Sequence, residues 1–178
     1  MGLTEALPRL AALAFGALAP TAAETYRQWR VFRRLGPLWR AMYAAFPDIR
    51  LPIHARSMRI CLYRRIIEIR DGQLAARPYV DDACLDSFRA AGRARGLSGP
   101  DLDAAVEAAV ITVSLRKRMS GADPVRPRSP GALRLASDDL RAEAEELQRV
   151  ARAFSHSPLA RAARTPGRRP AHTGDDGR

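Results

Sequence analysis

The sequence lacks the residue groupings on which most enzymes depend. Its three histidines, His54, His156 and His172, have no partner at metal-ligand spacing. The segment 96–99, Gly-Leu-Ser-Gly, lacks the lysine and the preceding strand of a phosphate-binding loop. No Ser/His/Asp or Cys/His set can be assembled from the sequence. We therefore predict a non-enzymatic protein with no cofactor, no metal site and no small-molecule ligand.

Cysteine is also scarce. The two cysteines, Cys61 and Cys84, lie in predicted helices and form no CxxC or Cys/His grouping. This arrangement predicts buried thiols in a reducing compartment rather than a disulfide.

Long hydrophobic runs are missing as well. The longest, LAALAFGALA at 10–19, is followed by Pro20 and is too short for a bilayer, which needs about 20 residues. Glu5 and Pro8 are unsuited to a signal peptide. Two interpretations of the apolar segment 1–23 remain, a buried helix or the end of a last membrane span. The arginine-rich stretch that follows favours the span, because positive charge marks its cytoplasmic end.

Positive charge is abundant and is almost entirely arginine. Of the 30 basic residues, all but Lys117 are arginine, and the net charge is +11. The preference for arginine over lysine can reflect codon composition as well as a need for guanidinium groups, so the number of arginines alone is not evidence for phosphate binding. The location of the charge is more informative: 24–46 has five arginines and one acid, 56–77 has six and two, and 156–178 has five and two. Such clustering indicates a nearby anionic surface, either membrane or nucleic acid.

The segment 24–46 is predicted to form two helices, separated where Gly36 closes the first and Pro37 opens the second. Trp29 and Trp39 lie beside arginines, so they serve either as interfacial anchors or as core residues. Four arginines of the first helix are predicted to contact anionic lipid headgroups, with a solvated helix face as the equal alternative: Arg27, Arg30, Arg33 and Arg34.

The segment 56–79 is the densest mixture of branched apolar residues and arginine, and we predict that it is the central helix. A helix would place one apolar stripe on Met58, Leu62, Ile66 and Ile69, and a second on Ile60, Tyr63, Ile67 and Leu74. Both stripes should then be covered by neighbouring helices. The alternative is a hairpin, with a strand at 67–70 and a turn at Asp71-Gly72.

The remaining patterns predict an all-α fold, a small bundle of five or six helices. Helices are expected at about 82–95, capped by Asp81 or Asp82, and at 100–119, capped by Ser98. A flexible linker at 120–136 precedes a last helix at about 138–154, whose acids Glu143, Glu145 and Glu146 are interpreted as a solvated face. The domain is expected to span 24–157, and the basic tail 158–178 is predicted to be disordered.

A helix-turn-helix is the sharper alternative, since 87–113 has helix, glycine-containing turn and helix in the right order. A recognition helix presents basic or amide side chains to bases from its first turns. This helix begins instead with Asp101, Asp103 and Glu107, which would repel phosphates. Nucleic-acid binding is therefore the alternative function rather than the leading one.

Four motifs in this order resemble a family of actinobacterial proteins: RRLGPLWRAMYAAFPDIRL, LYRRIIEIRDGQLAARPY, AAGRARGLSGPDLDAAVEAAV and LQRVARAFSHSP. Members of that family are labelled as transporters or as proteins of unknown function. In them, about seven membrane spans precede a cytosolic domain that carries these motifs. The resemblance covers 17–158 and implies no catalytic residues. It implies that 3–19 is the end of the last span, the preceding spans being absent from this chain.

These observations lead to one functional expectation. The chain is predicted to be a membrane-proximal cytosolic helical domain that acts as an interaction or regulatory module on the cytoplasmic side. Its expected partner is an anionic membrane surface or another protein.

Overall fold

The computed structural model describes residues 3–52, 57–125 and 140–165, with side chains from residue 21 onward. It confirms the all-α fold predicted from the sequence. Six α-helices are present in the described part of the chain: α1 (Leu3–Ala45), α2 (Met58–Ala76), α3 (Asp82–Arg93), α4 (Gly99–Met119), α5 (Leu140–His156) and α6 (Pro158–Arg164). Two 3₁₀ turns, Pro47–Ile49 and Arg77–Tyr79, follow α1 and α2.

The described residues divide into two compact units. Unit 1 contains 3–52, 57–72 and 140–151, which are α1, most of α2 and the larger part of α5. Unit 2 contains 73–125 and 152–165, which include α3, α4 and α6.

Helix α1 passes through Gly36 and Pro37 without a break, so the predicted division into two helices is wrong. Proline disfavours a helical residue before it because its ring carbon clashes with that residue's Cβ. Gly36 has no Cβ, so this clash does not arise. The remaining costs are the hydrogen bond that the proline nitrogen cannot donate and the contact of its ring with the carbonyl one turn earlier.

Helix α2 confirms the helical prediction for this segment and excludes the hairpin, since 67–72 lie inside it. Three residues of its inner stripe, Leu62, Ile66 and Ile69, are buried as predicted, whereas the fourth, Met58, is only half-buried. The prediction that the second stripe is covered is wrong, because Ile60, Tyr63 and Leu74 are 43%, 53% and 49% exposed.

Helices α1 and α2 run parallel within unit 1. The Nη1 atom of Arg65 lies 3.6 Å from the Cβ position of Gly36, and Trp39 bonds to Glu68. A Cβ on Gly72 would lie 2.8 Å from the Sδ atom of Met42. Each residue of α2 in these pairs is numbered about 29 higher than its partner in α1. A constant offset is expected for parallel helices, because both rise 1.5 Å per residue.

Unit 2 is built around α4, which packs against α3, α6 and the 3₁₀ turn Arg77–Tyr79. Its apolar core joins buried residues of α4 to two residues of α6, Leu159 and Ala163. Helix α3 begins as predicted, because the Oδ1 atom of Asp81 accepts a hydrogen bond of 2.8 Å from the backbone N–H of Cys84. Ser98 precedes α4 as predicted, although its side chain makes no capping hydrogen bond.

The C-terminal segment differs from its prediction. Residues 158–164 form α6, although disorder was predicted from residue 158. Ser157 caps this helix through its hydroxyl, which accepts from the N–H of Leu159 at 3.2 Å. The rest of the predicted tail, 166–178, and most of the predicted linker, 126–136, lie outside the described residues.

Candidate functional site: the basic-aromatic face of α1

The four arginines predicted to contact a membrane are all exposed on α1. Three of them lie close to two aromatic residues on the same part of the helix. We call Tyr26, Arg27, Trp29, Arg30 and Arg33 the basic-aromatic face.

The aromatic rings of this face are ordered by stacking. The ring centroids of Tyr26 and Trp29 lie 5.7 Å apart with an interplanar angle of 26°. The guanidinium carbon of Arg33 lies 4.9 Å from the centroid of Trp29, and that of Arg30 lies 6.0 Å from Tyr26. Cation–π contacts of this kind attract both charges to the faces of the rings.

An open apolar groove adjoins the face. It is lined by Thr21, Ala22, Thr25, Tyr26, Trp29 and Met58. The hydroxyl of Thr25 donates to the carbonyl of Thr21 at 2.9 Å, so this polar group is satisfied within the helix. Tyr26 is 59% and Trp29 38% exposed, which leaves a large apolar area in contact with solvent. Exposed apolar patches with a polar rim are typical of binding surfaces.

Arg27 and Arg34 have different surroundings. Arg27 pairs with Glu24 at 3.2 Å, with more than half of the arginine side chain exposed. Such a surface pair contributes little to stability. Arg34 turns toward α5 and donates from Nη1 to the Oε1 atom of Gln148 at 3.3 Å. Of the four predicted arginines, Arg34 is therefore the one that also joins two helices.

A cluster of polar and aromatic residues around buried Glu68 joins α1 to α2. The guanidinium of Arg65 lies between two rings, with its carbon 3.7 Å from the centroid of Phe32 and 4.4 Å from that of Trp39. Burial lowers the pKa of Arg65. Trp39 in turn donates from Nε1 to the Oε2 atom of Glu68 at 2.7 Å. Trp39 is thus a structural residue, whereas Trp29 is partly exposed.

Glu68 is the centre of this cluster and is only 1% exposed. Its Oε1 atom accepts from the backbone N–H of Leu51 at 3.0 Å and lies 3.4 Å from the Nε atom of Arg64. Burying a charged carboxylate is costly unless it is hydrogen-bonded and paired with a positive charge, as Glu68 is. The sequence signal was available, since Glu68 is a lone acid between two isoleucines, but its partners are distant in sequence.

A second buried ion pair was also missed. Glu143 was interpreted as part of a solvated face, but it is buried and accepts from the Nε atom of Arg70 at 2.9 Å. Arg70 also contacts Glu146 at 3.0 Å. Although burial lowers the pKa of Arg70, hydrogen bonds to Glu146 and Glu143 outweigh this effect and raise it overall.

The remaining candidates from the sequence are dispersed. Cys61 and Cys84 are free and only half-buried, and burial, followed by the charge of Asp81, raises the pKa of Cys84. His156 is exposed near the end of α5, while His54 and His172 lie outside the described residues. In the part of the chain that the structure describes, no three His, Cys, Asp or Glu side chains are grouped to hold a metal ion.

Within the described ranges, none of the helices combines the length and the apolar character that a bilayer crossing requires. The fold and the face together define an all-α domain with an exposed basic and aromatic surface. The chain belongs to a family of unknown function, DUF6545, whose model matches residues 24–157. No curated protein and no solved structure matches it. The transporter context and bacterial group implied by the resemblance remain predictions.

Proposed function

We propose that this chain is a non-enzymatic, membrane-proximal interaction or regulatory domain whose basic-aromatic face lies against an anionic lipid surface. The proposal includes a location on the cytoplasmic side of a membrane. One observation carries it: exposed Tyr26 and Trp29 stack together beneath Arg30 and Arg33 at the edge of an apolar groove.

The chemistry of the face suits the boundary between water and lipid. Tyrosine and tryptophan favour this boundary because each has an apolar ring and a polar group. Arginine forms bidentate hydrogen bonds with phosphate oxygens. Each basic residue near an anionic membrane contributes about 1 kcal/mol of binding free energy.

A solvated helix face is the alternative for these arginines. It accounts well for Arg27, which pairs with its neighbour Glu24. It accounts less well for Trp29, because contact of water with an exposed tryptophan ring and an adjacent apolar groove is unfavourable.

Vesicle co-sedimentation tests the proposal. The wild-type chain should bind vesicles of phosphatidylcholine with phosphatidylglycerol, and binding should weaken as salt increases. Substituting Arg27→Gln, Arg30→Gln and Arg33→Gln together should weaken binding about a hundredfold, from three contributions of about 1 kcal/mol each.

The matched control removes three exposed arginines from α3 and the turn that follows it, by Arg89→Gln, Arg93→Gln and Arg95→Gln. It changes the net charge equally and leaves the face intact. Equal losses in the two variants would indicate a general charge effect and would overturn the proposal. Equal binding to vesicles of phosphatidylcholine alone would also overturn it.

Binding to duplex DNA tests the alternative function, nucleic-acid binding. The exposed acids at the start of α4, Asp101 and Asp103, weigh against a recognition helix there. Salt-dependent DNA binding that the α1 variant loses, without any vesicle binding, would assign the same arginines to nucleic acid and overturn the lipid proposal.

A further inference from the structure

The outer face of α2 presents apolar side chains to solvent. Ile60 and Tyr63 are exposed, and Ile67 is half-buried one turn further on. Their spacing of three and four residues puts them on one side of the helix. Leu62, Ile66 and Ile69 form the buried side of the same helix.

This outer face lies at the same level as the basic-aromatic face. Since α1 and α2 are parallel with an offset of about 29 residues, positions 60 and 63 are level with positions 31 and 34. Met58, at the start of α2, already lines the groove together with Tyr26 and Trp29. Apolar groups of both helices are therefore exposed within a few turns of each other.

The positive charge around the outer face of α2 indicates which partner binds there. Among the described residues 21–45 and 57–72, six arginines are exposed, against one exposed acid, Glu24: Arg27, Arg30, Arg33, Arg34, Arg40 and Arg59. A second copy of the chain would bring two such arginine-rich surfaces together, and like charges at an interface are costly. An anionic lipid surface complements the same charges and also accepts apolar side chains.

We propose that Ile60 and Tyr63 are the apolar half of a two-helix contact with anionic phospholipid, inserting where headgroups meet acyl chains. This inference rests on the function proposed above. The arginines of α1 hold the lipid phosphates, and the outer face of α2 supplies a component of binding that salt does not screen.

The test is to substitute Ile60→Gln and Tyr63→Gln together and measure co-sedimentation with the phosphatidylglycerol-containing vesicles. Binding should fall about tenfold or more, because two partly buried apolar side chains are lost. The dependence of binding on salt should stay as in the wild-type chain, because the arginines remain. The α1 arginine variant should instead show a shallower dependence on salt.

Two further variants serve as a control elsewhere on the surface and as a milder substitution on the outer face of α2. Met119→Gln removes an exposed apolar residue elsewhere, at the end of α4, and should leave binding unchanged. Ile60→Ala removes less of the outer face, with little risk to the helix, and should weaken binding by a smaller factor. Circular dichroism confirms that each variant is folded.

The outcomes separate this inference from the function on which it rests. If the double variant binds as tightly as the wild-type chain while the arginine variant does not, the inference fails and the proposed function stands. If the wild-type chain binds no anionic vesicle, both fail. A wild-type dimer in solution that the double variant converts to a monomer would assign the outer face of α2 to a second copy and overturn the inference.

Discussion

The two units of this protein differ in how they use charged residues. In unit 1, Glu68, Arg70 and Glu143 are buried and joined by hydrogen bonds between helices. In unit 2, the core around α4 is made mainly of alanine, valine and leucine. Buried ion pairs require exact geometry, so they add polar contacts between the helices of unit 1 that the close-packed apolar core of unit 2 does not need.

Basic residues have a different part in unit 2. Arg116 donates to the carbonyls of Ala163 and Thr165 at 2.9 and 3.0 Å, and Lys117 donates to that of Tyr79 at 2.9 Å. These carbonyls lie at the ends of α6 and of a 3₁₀ turn, where backbone oxygens lack helical partners. In unit 1, Arg34 likewise joins two helices, whereas Arg30 and Arg33 lie over the exposed rings of Tyr26 and Trp29.

The largest effect on stability should come from breaking a buried ion pair of unit 1. Arg70→Ala would leave Glu143 buried without its main partner and should lower the free energy of unfolding by about 3–5 kcal/mol. Chemical denaturation followed by circular dichroism measures this. The double variant Arg70→Met with Glu143→Leu should be much less destabilised, since no charge is left buried. A loss below about 1 kcal/mol in the single variant would contradict the role given to this pair.

A smaller loss is expected where Gly72 of α2 lies close to Met42 of α1. Gly72→Ala would add a Cβ that lies 2.8 Å from the Sδ atom of buried Met42 and 3.3 Å from its Cβ atom. Overpacking costs about 1–3 kcal/mol, and the better helix propensity of alanine returns up to about 1 kcal/mol. Thermal unfolding should therefore show a modest decrease in stability. Combining it with Met42→Ala should remove the clash, and a stabilised single variant would contradict the close approach.

The smallest effect is expected in unit 2, at Ser114. This residue is fully buried on α4, and its hydroxyl has no hydrogen-bond partner among the described residues. Ser114→Ala should be neutral or slightly stabilising, within about 1 kcal/mol, because it removes an unsatisfied polar atom from the core. Thr112→Val is the matched control, since Thr112 does bond, to the carbonyl of Ala108 at 2.7 Å. A clear loss in Ser114→Ala would show that this hydroxyl has a stabilising contact.

Local sequence patterns were sufficient for some of these features. The spacing of Leu62, Ile66 and Ile69 predicted most of the buried side of α2, and Asp81 was one of the two predicted caps of α3. Both depend on residues within a few positions of one another. The exposure of all four predicted arginines agrees with a surface role, although exposure alone does not test lipid binding.

The features that were missed depend on contacts between distant segments. Glu68 is buried because Trp39 and the N–H of Leu51 meet it, 29 and 17 residues away. Helix α6 forms where Leu159 packs into the core around α4, whereas the prediction of disorder rested on the arginine, glycine and proline content of the whole tail 158–178. The prediction that the second stripe of α2 is covered was wrong for a similar reason. Periodicity shows which residues share a face of a helix, but it does not show what lies against that face.

Trp29 provides the most direct test of the central claim, that the basic-aromatic face meets lipid. Vesicles containing phosphatidylglycerol with brominated acyl chains quench a tryptophan that reaches the acyl-chain boundary. We expect quenching in the wild-type chain and its loss in Trp29→Phe, which retains Trp39 bonded to Glu68. Vesicle binding without quenching, or equal quenching in both chains, would contradict the account.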